Sequence, residues 1–230
     1  MTWAAFCDFD GTIALTDTTD DLLERHADPQ WREIEQLWVE GKIGSRECMR
    51  RQVEHVRATP QQLDDLADTV VIDEGFPAFV QWCRSKRIPV SVLSDGLDYV
   101  IKRVLARHGL GSIAVRANHL HAVARDRYTL VAAHGRPQCP AGTCKCSIVE
   151  RAAEQFSLFV GDGRSDFCVA EKSADVVLAK GTLQRHCEMN HLPHIPFRDF
   201  THARALFADL LDLVPADAAP LHPYFASLAP

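Results

Sequence analysis

The sequence predicts an α/β fold: a parallel sheet core flanked by helices, with a small helical cap inserted after the first strand. Three observations carry this expectation. Trp3-Ala4-Ala5-Phe6-Cys7 is an apolar run too short for a helix, and Asp8-Phe9-Asp10-Gly11-Thr12 ends it. From there to about Val70 the pattern is helical, with no convincing strand. Beyond Val70, short apolar runs alternate with helical stretches, the mark of βαβ units and a mainly parallel, Rossmann-like sheet.

Each element has its own signal. Asp20 to His26 and Trp31 to Glu40 read as helices, with Pro29 near the start of the second. Gly41-Lys42-Ile43-Gly44 breaks the pattern, and Ser45 is placed to cap a helix running to Val56. Thr59-Pro60 opens another through about Ala67. Phe76 to Lys86 is helical, Ile88 to Leu93 a buried strand, and Asp98 to His108 a helix. Ile113–Ala117 and Tyr128–Ala133 read as strands paired across His119–Arg127, and Gly135–Thr143, with two prolines and two glycines, as a loop. Ser147–Gln155, Asp166–Glu171, Thr182–Met189 and Thr201–Leu213 are helical, with strands at Ser157–Val160 and Asp175–Leu178. The expected division is a core of residues 1–15 and 70–230 and a cap of residues 16–69. Residues 215–230 form a peripheral, proline-containing tail.

At 230 residues, 47% hydrophobic and 24% charged, the chain can bury a sizeable core. A formal net charge of −6 leaves no footprint for nucleic acid or an anionic membrane. No apolar run approaches bilayer length, and Asp8 and Asp10 interrupt any leader-like segment. Eight scattered cysteines in a chain this size favour reduced thiols. The expectation is a cytoplasmic protein, monomer or homodimer.

The chemistry-bearing residues gather where strands end. In open α/β sheets ligands bind outside the carboxyl ends of the strands, which puts Asp8 and Asp10 at a site edge. Period-2 alternation turns both to one side. Carboxylates this close repel, and an oxygen-seeking ion such as Mg²⁺ resolves the repulsion. A calcium loop is excluded, because the sixth position counted from Asp8 is Ile13 rather than Gly. Ser94-Asp95-Gly96 follows a strand and offers a hydroxyl, a glycine turn and backbone N–H groups to an anion, although alone it is an ordinary turn. Lys145 opens a helix after Gly142-Thr143-Cys144 and can hold a phosphoryl oxygen; taken alone it is a solvated lysine. Gly161-Asp162-Gly163-Arg164-Ser165-Asp166 adds two carboxylates, and Asp166 in the last glycine position argues against dinucleotide binding. Four carboxylates, a hydroxyl and a lysine make a set for Mg²⁺-assisted phosphoryl transfer through an aspartate nucleophile.

In order and spacing, Asp8-Phe9-Asp10-Gly11-Thr12, Ser94, Lys145 and Gly161 to Asp166 resemble the signatures of the haloacid dehalogenase-like superfamily of phosphatases. Nearly the whole chain is similar to its phosphoserine phosphatase branch. Glu74-Gly75-Phe76, Ser94 to Tyr99, Gly142 to Lys145 and Phe197 to Phe200 resemble the methionine-salvage phosphatases of that branch. Asp95 stands where many relatives carry Gly. The resemblance implies a phosphatase for a small phosphorylated metabolite, first a methylthiopentenyl phosphate, alternatively phosphoserine or another small phosphomonoester. A phosphomutase, or a silent phosphate- or metal-binding protein, is the remaining alternative. It further implies that Asp8 is the nucleophile and Asp10 the acid and base. Asp8, the Asp10 carbonyl and Asp162 would bind Mg²⁺, with Asp166 orienting that shell. Ser94, the Gly96 amide and Lys145 would hold phosphate, with Asp95 close to the substrate. Asp17 matches a cap-base acid that contacts substrate in phosphoserine phosphatases.

Other clusters have plainer readings. Cys139, Cys144 and Cys146, even with His134, match no common zinc spacing. Cys7 reads as a buried strand residue and the eleven histidines as surface groups. Trp31, Trp38 and Trp82 fall in helical patterns as core residues.

Overall fold

The computed structural model describes residues 2–152 and 155–213; the expected tail at 215–230 lies outside them. The first half runs β1 (Trp3–Cys7), α1 (Thr18–His26), α2 (Trp31–Val39), α3 (Ser45–Val53), α4 (Pro60–Thr69), α5 (Phe76–Ser85), β2 (Val90–Leu97) and α6 (Asp98–Arg107). The second runs β3 (Ala114–Ala122), β4 (Tyr128–Val131), α7 (Lys145–Glu150), β5 (Phe156–Gly161), α8 (Phe167–Lys172), β6 (Val176–Ala179), α9 (Gly181–Met189), β7 (Ile195–Pro196) and α10 (Phe200–Leu213). The expected α/β class holds. Among the described residues the sheet order is β4-β3-β2-β1-β5-β6-β7. β1 is parallel to β2 and β5, β5 to β6 and β6 to β7, while β3 and β4 are antiparallel. None of the described helices is long and apolar enough to cross a membrane.

The chain divides into two compact units, one of residues 1–13, 72–92 and 145–230, the other of residues 14–71 and 93–144. In the first, every residue of β1, β5 and β6 is buried, as continuous apolar runs in a parallel sheet require. β1 and β5 pair from Trp3↔Phe156 to Cys7↔Val160. Aromatic side chains pack together in this unit. Phe200 lies 4.7 Å from Phe76 and 5.2 Å from Phe79 by ring centroids, and Phe207 touches both Trp3 and Trp82. Buried Asp73 joins two helix starts, accepting from Gly75 N at 2.8 Å and Phe200 N at 3.2 Å.

In the second unit the inserted segment carries α1 to α4. Thr59 and Gln62 close a capping box at α4, the helix start that Thr59-Pro60 predicts. α4 is fastened to α6 by Arg103 on Asp68 at 2.8 Å, by Tyr99 on Asp64 at 2.7 Å, and by Arg107 on the carbonyls of Ala67, Asp68 and Val70. Those carbonyls lie at the end of a helix, which has no N–H donors of its own to satisfy them. β2 departs from expectation: it continues through Ser94-Asp95-Gly96 to Leu97 instead of turning after Leu93. The Asp95 carbonyl takes the Asn118 amide of β3 at 2.5 Å, a tertiary partner that local turn chemistry does not reveal.

This aromatic packing sets the first prediction. Phe200 is fully buried, so Phe200→Ala removes a ring that its neighbours cannot replace. Chemical denaturation should show a loss of about 3–5 kcal/mol. A loss below roughly 1 kcal/mol would mean that the packing contributes little.

Candidate active site

β1 stops at Cys7, and Asp8 continues the ladder by one bond, its N–H donating to Val160 O at 2.9 Å. The chain then turns. Thr12 N and Ile13 N both donate to Phe9 O, and Gly11 takes a φ of +69°. Alternation therefore does not extend to Asp10, which is half-buried within the turn. A Cβ on Gly11 would lie 2.4 Å from Asp162 Oδ2, so both backbone conformation and room call for glycine. Thr12 Oγ1 donates to Asp162 Oδ1 at 2.5 Å and ties this turn to the one after β5.

Lys145 is the first residue of α7 and its side chain is 2% exposed. Its Nζ lies 2.9 Å from Asp8 Oδ1, 2.6 Å from Asp166 Oδ1 and 2.9 Å from Ser165 Oγ. The other Asp166 oxygen accepts from Asp162 N and Gly163 N, both at 3.1 Å. Asp8, Asp162 and Asp166 each offer an oxygen, all within 4.8 Å of one another. Burial pushes the Asp8 carboxyl well above its usual range; Asp166 pushes the same way and Lys145 opposes. Burial also raises Asp162, against the Thr12 hydrogen bond. For Lys145 burial disfavours the charge, yet Asp166 and Asp8 outweigh it and hold the ammonium above its ordinary range. An all-oxygen, anionic donor set suits a hard cation such as Mg²⁺. Cys7 is no rival nucleophile, since burial drives its thiol pKa far up.

Among the predicted site residues, the structure brings Asp8, Lys145, Asp162 and Asp166 together in the first unit, with Asp10 on the adjoining turn. Ser94, Asp95, Gly96 and Asp17 belong to the second unit. There, fully buried Ser94 accepts from Gly96 N at 2.8 Å. Asp95 accepts from Ser45 Oγ at 2.5 Å and Thr143 N at 2.7 Å. Asp17 caps α1, accepting from Thr19 N and Asp20 N. Sequence reasoning assigned no role to Thr12 or Ser165, although both lie inside the motifs, where polar side chains beside the acids are the signal. It missed Asn118 altogether, because nothing in the β3 sequence marks it.

A model of the haloacid dehalogenase-like hydrolases matches residues 5–171. The chain is 29% identical over 218 residues to the 2-hydroxy-3-keto-5-methylthiopentenyl-1-phosphate phosphatase of Lysinibacillus sphaericus (strain C3-41), covering 90% of this chain and 94% of that protein. It is 29% identical over 204 residues to the phosphatase of the same name from Brevibacillus brevis, covering 85% and 90%. A substrate-bound phosphoserine phosphatase superposes with a TM-score of 0.66 at 19% identity, over 94% of this chain and 99% of that one. A phosphoserine phosphohydrolase-like protein from Francisella tularensis gives 0.68 at 17% identity, over 90% and 99%. With most of its length under the family model, the chain belongs to the haloacid dehalogenase-like hydrolases.

Proposed function

We propose that the chain is a Mg²⁺-dependent phosphatase that hydrolyses a small organic phosphomonoester through an aspartyl-phosphate. Its family and its relatives named as phosphatases make it a phosphoric monoester hydrolase; the metal, the intermediate and the substrate are the proposal. The observation that carries it is the buried Asp8–Lys145–Asp166 group with Asp162 alongside. Binding phosphate alone does not call for three crowded carboxylates.

Asp8, the Asp10 carbonyl and Asp162 would hold Mg²⁺, with Asp166 orienting them through its bonds to Asp162 N and Lys145. Bound there, the ion supplies positive charge to the phosphoryl oxygens. Asp8 attacks phosphorus, forming the Oδ–P bond as the P–O bond to the organic group breaks. Asp10 delivers a proton to the departing alkoxide and then takes one from the water that cleaves the aspartyl-phosphate. Lys145 opposes the burial that favours a protonated Asp8 and carries positive charge beside the transferring group. On the order of the motifs, Ser94 Oγ and the Gly96 N–H are assigned to phosphate oxygens. The helical insertion, Asp17 included, is assigned to the organic group.

For the substrate we favour 2-hydroxy-3-keto-5-methylthiopentenyl-1-phosphate, the compound named for relatives that share 29% identity along most of the chain. A panel of small phosphates with a phosphate-release readout tests this. The methylthiopentenyl phosphate should rank first by kcat/KM, and a higher rank for phosphoserine would replace it.

Two further outcomes test the chemistry. Chelation should abolish phosphate release and Mg²⁺ restore it, while excess Ca²⁺, which prefers more ligands at longer distances, should inhibit. Full activity after thorough chelation would reject the metal. Asp8→Asn should lose turnover by several orders of magnitude and form no phosphoenzyme. Asp10→Asn should lose roughly 10²–10⁴-fold. With an aryl phosphate, whose leaving group needs no proton, Asp10→Asn should still phosphorylate Asp8 and release phosphate slowly. Mass spectrometry of the quenched variant should find one phosphoryl group on the Asp8 peptide; label elsewhere overturns the assignment.

A further inference from the structure

The Asp95 carboxylate is already engaged by the protein. Oδ2 accepts from Ser45 Oγ at 2.5 Å, and Oδ1 accepts from Thr143 N at 2.7 Å and lies 3.4 Å from Asn118 Nδ2. Its backbone carbonyl takes the same Asn118 amide at 2.5 Å. One residue on β2 thus joins the first turn of α3, β3 and the loop of residues 132–144. Asn118 has little else to hold it. Among the described residues its Nδ2 otherwise reaches the Met49 sulfur at 3.8 Å, and its buried Oδ1 has no partner there. Gly142 packs so closely on it that a Cβ would lie 2.3 Å from Oδ1.

The next residue of α3 extends the connection. Arg46 donates through its guanidinium to the carbonyls of Arg136 and Cys139, both at 2.6 Å, and of Ala141 at 2.9 Å. Its N–H donates to Pro140 O at 3.0 Å. Asp95 and Arg46 therefore hold the same loop at different residues. A carboxylate whose oxygens already accept from Ser45 and Thr143 is poorly placed to be the group that selects a substrate.

We propose that Asp95 is a positioning residue: it fixes the Ser94–Gly96 triplet against the first turn of α3 and the 132–144 loop, and so sets how firmly that triplet holds phosphate. This rests on the phosphatase reading for the role of Ser94 and Gly96. Without the carboxylate, Thr143 N and Ser45 Oγ lose this acceptor, and Asn118 keeps the Asp95 carbonyl and the Met49 sulfur. The triplet then loses the supports on either side of it.

The test pairs kinetics with amide exchange in the full-length chain. Asp95→Ala should raise KM, and the inhibition constant of inorganic phosphate, by about tenfold, and raise KM more than it lowers kcat. Asp95→Asn keeps an acceptor for Thr143 N and should recover most of that loss. Ser45→Ala should move KM in the same direction, and the Ser45→Ala/Asp95→Ala double variant should be no worse than Asp95→Ala. The Thr143 amide should exchange faster in Asp95→Ala. A changed order of preference among substrate organic groups in Asp95→Ala, with Ser45→Ala like wild type, would make Asp95 a direct substrate contact and overturn the proposal. Unchanged Thr143 exchange would overturn it as well. Should Asp95→Ala not fold, Asp95→Asn and Ser45→Ala decide by the same readouts. Failure of wild type to release phosphate from any substrate would sink the phosphatase reading instead. Orthophosphate affinity by calorimetry, with Thr143 exchange, would then still decide the role of Asp95.

Discussion

The Lys145 ammonium lies buried between Asp8 and Asp166, and the arrangement of the acidic site depends on it. A buried carboxylate without a partner costs several kcal/mol, so buried Asp8 and Asp166, with half-buried Asp162 offering an oxygen within 4.8 Å of theirs, could not all persist ionised without compensation. Lys145 supplies one positive charge to two of them, and the Asp162 and Gly163 amides stabilise Asp166 further. Three carboxylates against that one ammonium still leave an excess of negative charge if all are ionised. Burial first, and the neighbouring Asp166 with it, raises the Asp8 and Asp162 pKa values, and a divalent cation is a fitting occupant of such a site.

Strand register delivers these groups to one place. β1 and β5 run parallel with Cys7 opposite Val160, so Asp8 leaves its strand at the level where β5 approaches its end at Gly161. Asp162 follows at once, and Thr12 Oγ1 closes the gap between the two turns. This is the carboxyl-end site expected of an open α/β sheet. The apolar strands supply no chemistry of their own. Their burial fixes the backbone from which the acids project.

The second unit shows a different economy of polar groups. Two of its arginines donate to backbone carbonyls, Arg107 at the end of α4 and Arg46 on the 132–144 loop. A guanidinium with five donors in a rigid fork can satisfy several carbonyls at once, which suits loops and helix ends whose acceptors have no partners of their own. Asp95 is the anionic counterpart, accepting from a hydroxyl, a backbone amide and a side-chain amide.

Much of this was legible in the linear chain. The run Trp3–Cys7, the Thr59-Pro60 helix start and the alternation after Val70 each rest on local propensity and periodicity, and each appears where it was expected. Asp8, Asp162, Asp166 and Lys145 stood out by their place in motifs at the ends of elements, and the structure brings the four together. The two-residue β7 and the extension of β2 through Gly96 were not legible, since both depend on pairing with distant strands. Nor was the division that groups residues 14–71 with 93–144, because chain order says little about which segments pack together. The sequence by itself determined the fold class and the chemical inventory, through hydrophobic periodicity and residue type. Only the tertiary structure decided which carboxylates share Lys145 and which donors occupy Asp95, because those bonds join residues 21 to 137 positions apart.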